Sequence, residues 1–147
     1  MADDYLAVML RTRGRRCLVV GGGEVAHRKV QDALRAGLHV VVVAPSAVPA
    51  LRDLAAAGQV TWEERGFHPA DVREAFLVFA AATPEVNSEV CRAARAAGVL
   101  VNVVDHPELS DFISPAVSQR GPVTVAVSTG GASPALAARL RDRLIAL

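Results

Sequence analysis

The stretch CLVVGGGEVAHRKVQDALRAG, residues 17–37, decides the fold. Cys17 to Val20 is a short run of buried-strand residues, broken at once by Gly21, Gly22 and Gly23. Val25, Ala26, Val30, Ala33 and Leu34 then recur at near-helical spacing, and Gly37 supplies the stop. A strand, a glycine turn and a helix in immediate succession give each position of G-x-G-x-x-A a physical task. Gly21 permits the tight turn, Gly23 lets the backbone approach an anionic diphosphate, and Ala26 lets the helix pack close to its strand. The unpaired N–H groups at the helix start, around Glu24 and Val25, face that diphosphate. The competing reading is a tight glycine turn that binds nothing.

Working outward, HVVVVA (39–44) reads as a second strand, and its unbroken valines predict burial on both faces. Ser46 is the expected cap of a helix running to about Gly58, with Pro49 in its first turn. QVTWEE (59–64) alternates as a third strand and FLVFAAAT (76–83) is a fourth, buried one. PEVNSEVCRAARAAG (84–98) is a helix, and VLVNVVD (99–105) is a fifth strand ending at Asp105. Strands alternating with helices predict a Rossmann-like doubly wound parallel sheet of order 3-2-1-4-5. The pattern then changes. Residues 112–129 read as a β-hairpin around the turn Gln119 to Pro122, and 130–147 as a C-terminal helix with Ser133 as cap and Pro134 at its first position. The expected division is therefore 1–112, a dinucleotide-binding domain, and 113–147, the hairpin and start of a helical region. Leu136, Leu140 and Leu144 repeat along that last helix with no stop signal. A fraying terminus and the first helix of a longer module both fit.

With 52% hydrophobic and only 4% aromatic residues, the core has to be built from Val, Leu and Ala, the material of helix-covered parallel sheets. A net charge of +1 argues against a nucleic-acid binder whose affinity rests on phosphate neutralisation. Arg11, Arg13, Arg15 and Arg16 read as a solvated turn. Cys17 and Cys91 have no paired spacing, so a reduced, cytoplasmic chain is expected. MADDYLAVMLRTRGRR lacks the order of a signal peptide, and no apolar run approaches the roughly 20 residues of a membrane span. His27, His39, His68 and His106 are scattered without ligand spacing, so no resident metal is expected.

Two further places carry chemistry. The second strand ends in Ala44, Pro45 and Ser46, without the acid that usually holds an adenosine ribose and without an arginine for a 2′-phosphate. Ser46 and backbone groups could serve instead, which favours NAD. Thr83 ends the fourth strand and Asn87 follows in the next helix; ligand contact stays open for both against helix capping for Thr83 and a surface amide for Asn87. VNVVDHPELSDFISP (101–115) then gathers Asp105, His106, Glu108 and Asp111 just past an apolar run. Asp105, at the expected strand tip beside the crevice, is placed for proton transfer. Glu108 and Asp111 read as loop carboxylates that cap turns, while His106 stays open between a second acid/base role and a solvent-exposed or loop-bonded place.

VVGGGEVAHRK, AATPEVN, NVVDHPELSDFISPA and GPVTVAVSTGGASPALAARLR occur in this order. Together they resemble the siroheme synthase amino-terminal domain family, precorrin-2 dehydrogenases that in several members are also sirohydrochlorin ferrochelatases. The resemblance implies NAD-dependent oxidation of precorrin-2 to sirohydrochlorin on the way to sirohaem. It implies cofactor contacts at Glu24, Val25, Pro45 and Ser46, joining Gly21, Gly22, Gly23 and Thr83, and it puts the essential carboxylate on Asp105. Members that chelate insert ferrous iron at the same site. The polycarboxylate substrate calls for basic and hydroxyl groups, with Asn102, Arg120, Ser128, Thr129, Gly130 and Gly131 as candidates. Homodimerisation through a helical region after STGG is also implied, most of it past Leu147. Two alternatives use fewer of these motifs: a dinucleotide-sensing regulatory module without catalysis, and a chelatase-only homologue with a vestigial glycine loop.

Overall fold

The computed structural model describes residues 4–147; the first three, which open the stretch read as unlike a signal peptide, lie outside it. β1 (Arg16–Val20), β2 (His39–Val43), β3 (Thr61–Glu63), β4 (Leu77–Ala80) and β5 (Leu100–Val103) form one parallel sheet. Its order is β3-β2-β1-β4-β5, as the alternation predicts. Burial from both sides explains the valine runs. Cys17, Val19, Val40, Val42 and Phe79 face α1 (Glu24–Arg35) and α2 (Pro49–Ala56) through Ala26, Val30 and Leu51. Leu18, Val20, Val41, Val43, Val78, Val101 and Val103 face α3 (Pro84–Ala97) through Val90, Cys91 and Ala94. Each fully buried valine or leucine contributes roughly 1.5–3 kcal/mol. Both cysteines are free and buried, and burial pushes the Cys17 thiol up to about 12.

The expected cap of the second helix fails. Ser46 does not cap α2, which starts at Pro49 with Val48 as N-cap and no side-chain cap. The Val48 N–H instead donates to the Gly22 carbonyl at 2.8 Å, so residues 45–48 are drawn against the glycine loop before the helix begins. Proline at the first helical position then fixes the start.

Residues Leu10–Phe112, which hold the sheet and these helices, form one compact unit. A second unit contains Ile113–Leu147 together with the segment that ends at Met9. In it, β6 (Ala116–Arg120) and β7 (Val123–Val127) pair antiparallel, with Arg120 opposite Val123 across Gly121 and Pro122. Gly121 has φ +57°, the left-handed conformation that favours glycine in such a turn. α4 (Pro134–Ile145) is capped as expected, the Ser133 hydroxyl accepting the Leu136 N–H at 3.2 Å. No helix among the described residues is long and apolar enough to cross a membrane.

Candidate functional site

Parallel strands end on one edge of the sheet, and backbone hydrogen bonds carry the pairing past their ends. Gly21 N–H donates to Val43 O at 3.0 Å, Ala81 N–H to Val20 O at 2.8 Å, and Val104 N–H to Ala80 O at 3.0 Å. The β2, β1, β4 and β5 tips are thus one continuous ledge. The glycine loop and the segment after β5 are two strands apart on it, roughly 10 Å at ordinary strand spacing.

The three glycines divide the work. Gly21, at φ +129°, would put a Cβ 2.2 Å from the Ala81 carbonyl oxygen. Gly22 would put one 1.9 Å from that of Ser46. Gly23 meets nothing within 4 Å, is exposed, and begins α1 with no side-chain cap. The helix start at Glu24 and Val25 is therefore open, with its free N–H groups uncapped by side chains. Ala26 below it is completely buried, so helix and sheet meet without a gap.

At the β2 tip, the Trp62 indole N–H donates to the Ala44 carbonyl at 3.0 Å and fixes the approach to Pro45 and Ser46, both exposed. Beyond β3, Arg65 is forked onto Asp71 at 2.8 and 2.9 Å. Burial pushes the Asp71 carboxyl up, but the Arg65 guanidinium and the His68 backbone N–H outweigh it and hold it below its ordinary value. β4 stops at Ala80, so Thr83, expected at its end, stands three residues beyond it, where its hydroxyl accepts the Val86 N–H at 3.3 Å and caps α3. Asn87, read from the sequence as a surface amide or ligand contact, is buried and clasps the Ala82 backbone, accepting its N–H at 2.9 Å.

After β5 the sequence expectation needs a correction: the strand stops at Val103, and Asp105 stands beyond it in a turn. The His106 N–H closes that turn on the Val103 carbonyl at 3.0 Å. Asp105 is exposed and holds φ +65°, a left-handed conformation uncommon outside glycine that aspartate and asparagine adopt more readily than other residues. The neighbouring carboxylates are committed elsewhere. Glu108 meets the His106 ring at 2.8 Å; its own backbone N–H and then that ring hold its carboxyl below the ordinary value. Asp111 accepts the Val101 N–H at 3.1 Å and lies 3.9 Å from Arg95. Asn102, an expected substrate contact, is buried, its Nδ2 donating to the Phe112 carbonyl at 2.9 Å while its Oδ1 has no partner.

The other expected substrate contacts belong to the second unit. Arg120 donates to the Ile145 carbonyl at 3.3 Å. Ser128 accepts the Gly130 N–H at 3.0 Å, and Thr129 accepts the Ser133 N–H at 2.8 Å. Gly130 and Gly131 are exposed, with φ +65° and +85°. Trp62 and Ser110 were not picked out by sequence reasoning, and neither left a local signal.

Residues 8–116 match the family described as "Putative NAD(P)-binding", and residues 120–147 match "Sirohaem biosynthesis protein central". The chain belongs to this NAD(P)-binding family. It is 46% identical over 142 residues to the siroheme synthase of Nitrosococcus oceani, covering 96% of this chain and 30% of that protein. With the siroheme synthase of Methylococcus capsulatus it shares 50% over 143 residues, again 96% of this chain and 30% of that one. The chain thus spans 30% of the length of these curated relatives. Among solved structures, SirC, a precorrin-2 dehydrogenase, superposes with a TM-score of 0.77 at 29% identity, over 97% of this chain and 70% of that chain. A nicotinamide dinucleotide fits the NAD(P)-binding loop on observations of this chain alone. Gly23 leaves room where a side chain would stand, the N-terminus of α1 is uncapped, and Gly21 and Gly22 seal the loop against Ala81 and Ser46.

Proposed function

We propose that the chain oxidises precorrin-2 to sirohydrochlorin with NAD, on the route to sirohaem, with Asp105 as the proton acceptor. The observation that carries this reading is one shared ledge. An open, uncapped glycine loop and a carboxylate held in a left-handed turn lie two strands apart at the same edge of the sheet. Oxidation removes a hydride and a proton from the macrocycle, and the bound nicotinamide supplies the hydride acceptor. Gly23 and the N–H groups of Glu24 and Val25 hold the diphosphate, while Pro45 and Ser46 border the adenosine end and Thr83 the β4 tip. Asp105 takes the proton and is free to do so, because its neighbours Glu108 and Asp111 already have partners.

NAD is preferred over NADP on local grounds. The β2 tip brings no arginine, and Arg65 beyond β3 is already forked onto Asp71. Residues 10–112 make the dinucleotide-binding part, and 113–147, with the hairpin and α4, take part in dimerisation. Ser128 and Thr129 use their oxygens as acceptors and keep their own protons for substrate carboxylates, joined by Arg120, Gly130 and Gly131. Asn102 acts on substrate through the loop it tethers. The free thiols Cys17 and Cys91 support a cytoplasmic setting.

The test mixes the purified chain with precorrin-2 and NAD, or NADP, and follows reduced-cofactor absorbance. Asp105→Asn is expected to bind NAD normally and lose roughly 10²–10⁴-fold in turnover, the usual contribution of a positioned base. Normal turnover by that variant sinks Asp105 as the base. Ferrous iron enters only as a substrate, so sirohydrochlorin offered with Fe²⁺ measures metal insertion separately.

A further inference from the structure

The turn that holds Asp105 is fixed from below by one hydroxyl. The Ser110 oxygen accepts the Val103 N–H at 2.8 Å. Its single proton lies between the His106 carbonyl at 2.9 Å and the Val103 carbonyl at 3.2 Å. Val103 and His106 are the first and last residues of the Asp105 turn, so Ser110 grips both ends at once. No other side chain among the described residues does so; beside it stands only the turn's own closure, the His106 N–H on the Val103 carbonyl at 3.0 Å. Asp111 and Asn102 bind further along, at Val101 and Phe112, and Arg95 and Cys91 reach the Leu109 carbonyl, Arg95 also lying 3.9 Å from Asp111. Asp105 itself sits at φ +65°, a conformation that costs about 1–3 kcal/mol at a non-glycine residue and persists only where its surroundings impose it.

We propose that Ser110 is a positioning residue for the dehydrogenase reaction: it locks the Val103–His106 turn so that the Asp105 carboxylate faces the reacting carbon. The inference rests on Asp105 being the base. Ser110 touches no reacting atom and acts only through that turn. Losing the hydroxyl frees the Val103 N–H and leaves the His106 carbonyl to the Leu109 N–H alone, which lets Asp105 relax toward the extended region and takes its carboxylate out of line.

The experiment compares Ser110→Ala, Ser110→Thr, Asp105→Asn and the double variant with the parent 147-residue chain. Turnover, KM for precorrin-2, Kd for NAD and the melting temperature are read for each. Ser110→Ala is expected to lower kcat roughly tenfold to a hundredfold, the scale of an ångström-sized misplacement, with Kd for NAD unchanged. Ser110→Thr, which keeps the hydroxyl, restores most of the rate. Placed on Asp105→Asn, Ser110→Ala is expected to cost nothing further, because there is no carboxylate left to aim. Three results overturn the proposal: parental kcat in Ser110→Ala, a loss of NAD binding and melting temperature in step with kcat, or a full further loss on the Asp105→Asn background. Parental turnover in Asp105→Asn is a different result, and it removes the reading of the base itself.

Discussion

A Cβ on Gly22 would stand 1.9 Å from the Ser46 carbonyl oxygen, while a Cβ on Gly23 would meet no protein atom within 4 Å. Alanine at these adjacent positions therefore separates folding from binding. At Gly22 the obstacle is backbone, already tied down by the Val48 N–H on the Gly22 carbonyl, and it has little room to yield. Gly22→Ala is expected to destabilise the chain by about 1–3 kcal/mol, as other overpacked sites do, and a denaturant titration reads it directly. Gly23→Ala should leave that titration unchanged, because the new methyl points into open space. On the proposed cofactor contact it would stand in the path of the diphosphate, so Kd for NAD should rise by roughly tenfold, about 1.4 kcal/mol. Unchanged NAD affinity in Gly23→Ala would remove the loop from the cofactor site. Asp105 poses the same question at the residue scale, since an aspartate rather than a glycine holds the left-handed φ of +65° there.

Between elements, the tie of Arg65 to Asp71 closes the path from β3 toward β4 and makes a pH-dependent contribution. The Asp71 carboxyl is depressed below its ordinary value of 3.8 in the folded chain, so its stabilisation is fully present above that value. It is lost as pH falls through the lower folded value. Asp71→Asn should therefore flatten the acid limb of stability against pH below about pH 4 and lower the plateau above it; parallel acid limbs for both proteins contradict the assignment. The element scale also marks what the sequence makes legible. Runs such as residues 39–44 and the spacing of Val86, Val90 and Ala94 announce strands and helices, because burial on a face imposes a period. The loop after β5 imposes none. Ser110 and Asp111 satisfy N–H groups of the edge strand in place of a sixth strand, and that pairing depends on a fold-back that no local pattern records. For the same reason Asp105 reads as a strand tip although it lies in a turn, and Ser46 reads as a cap although Gly22 has already claimed Val48.

Over the whole molecule, the apolar surface is uneven. The sheet unit buries its valines, whereas α4 leaves Leu136, Leu140 and Leu144 at 46%, 39% and 48% exposure, and the hairpin leaves Val117 and Val123 at 50% and 55%. Leucines four residues apart form one stripe, while Ala137 on another face of α4 is buried. An isolated helix of this length gains little from propensity and keeps its shape by burying a face. The stripe therefore fits the proposed homodimer, in which a second copy covers it. Leu140, in the middle of the stripe, is the position to change. Leu140→Glu should shift sedimentation from dimer toward monomer at micromolar concentration without altering the sheet unit's affinity for NAD, because the glycine loop belongs to a different unit. A variant that sediments like the parent at every concentration would show that the stripe serves something other than self-association. A variant that loses NAD affinity as well would tie dinucleotide binding to the dimer, which the loop's own geometry gives no reason to expect.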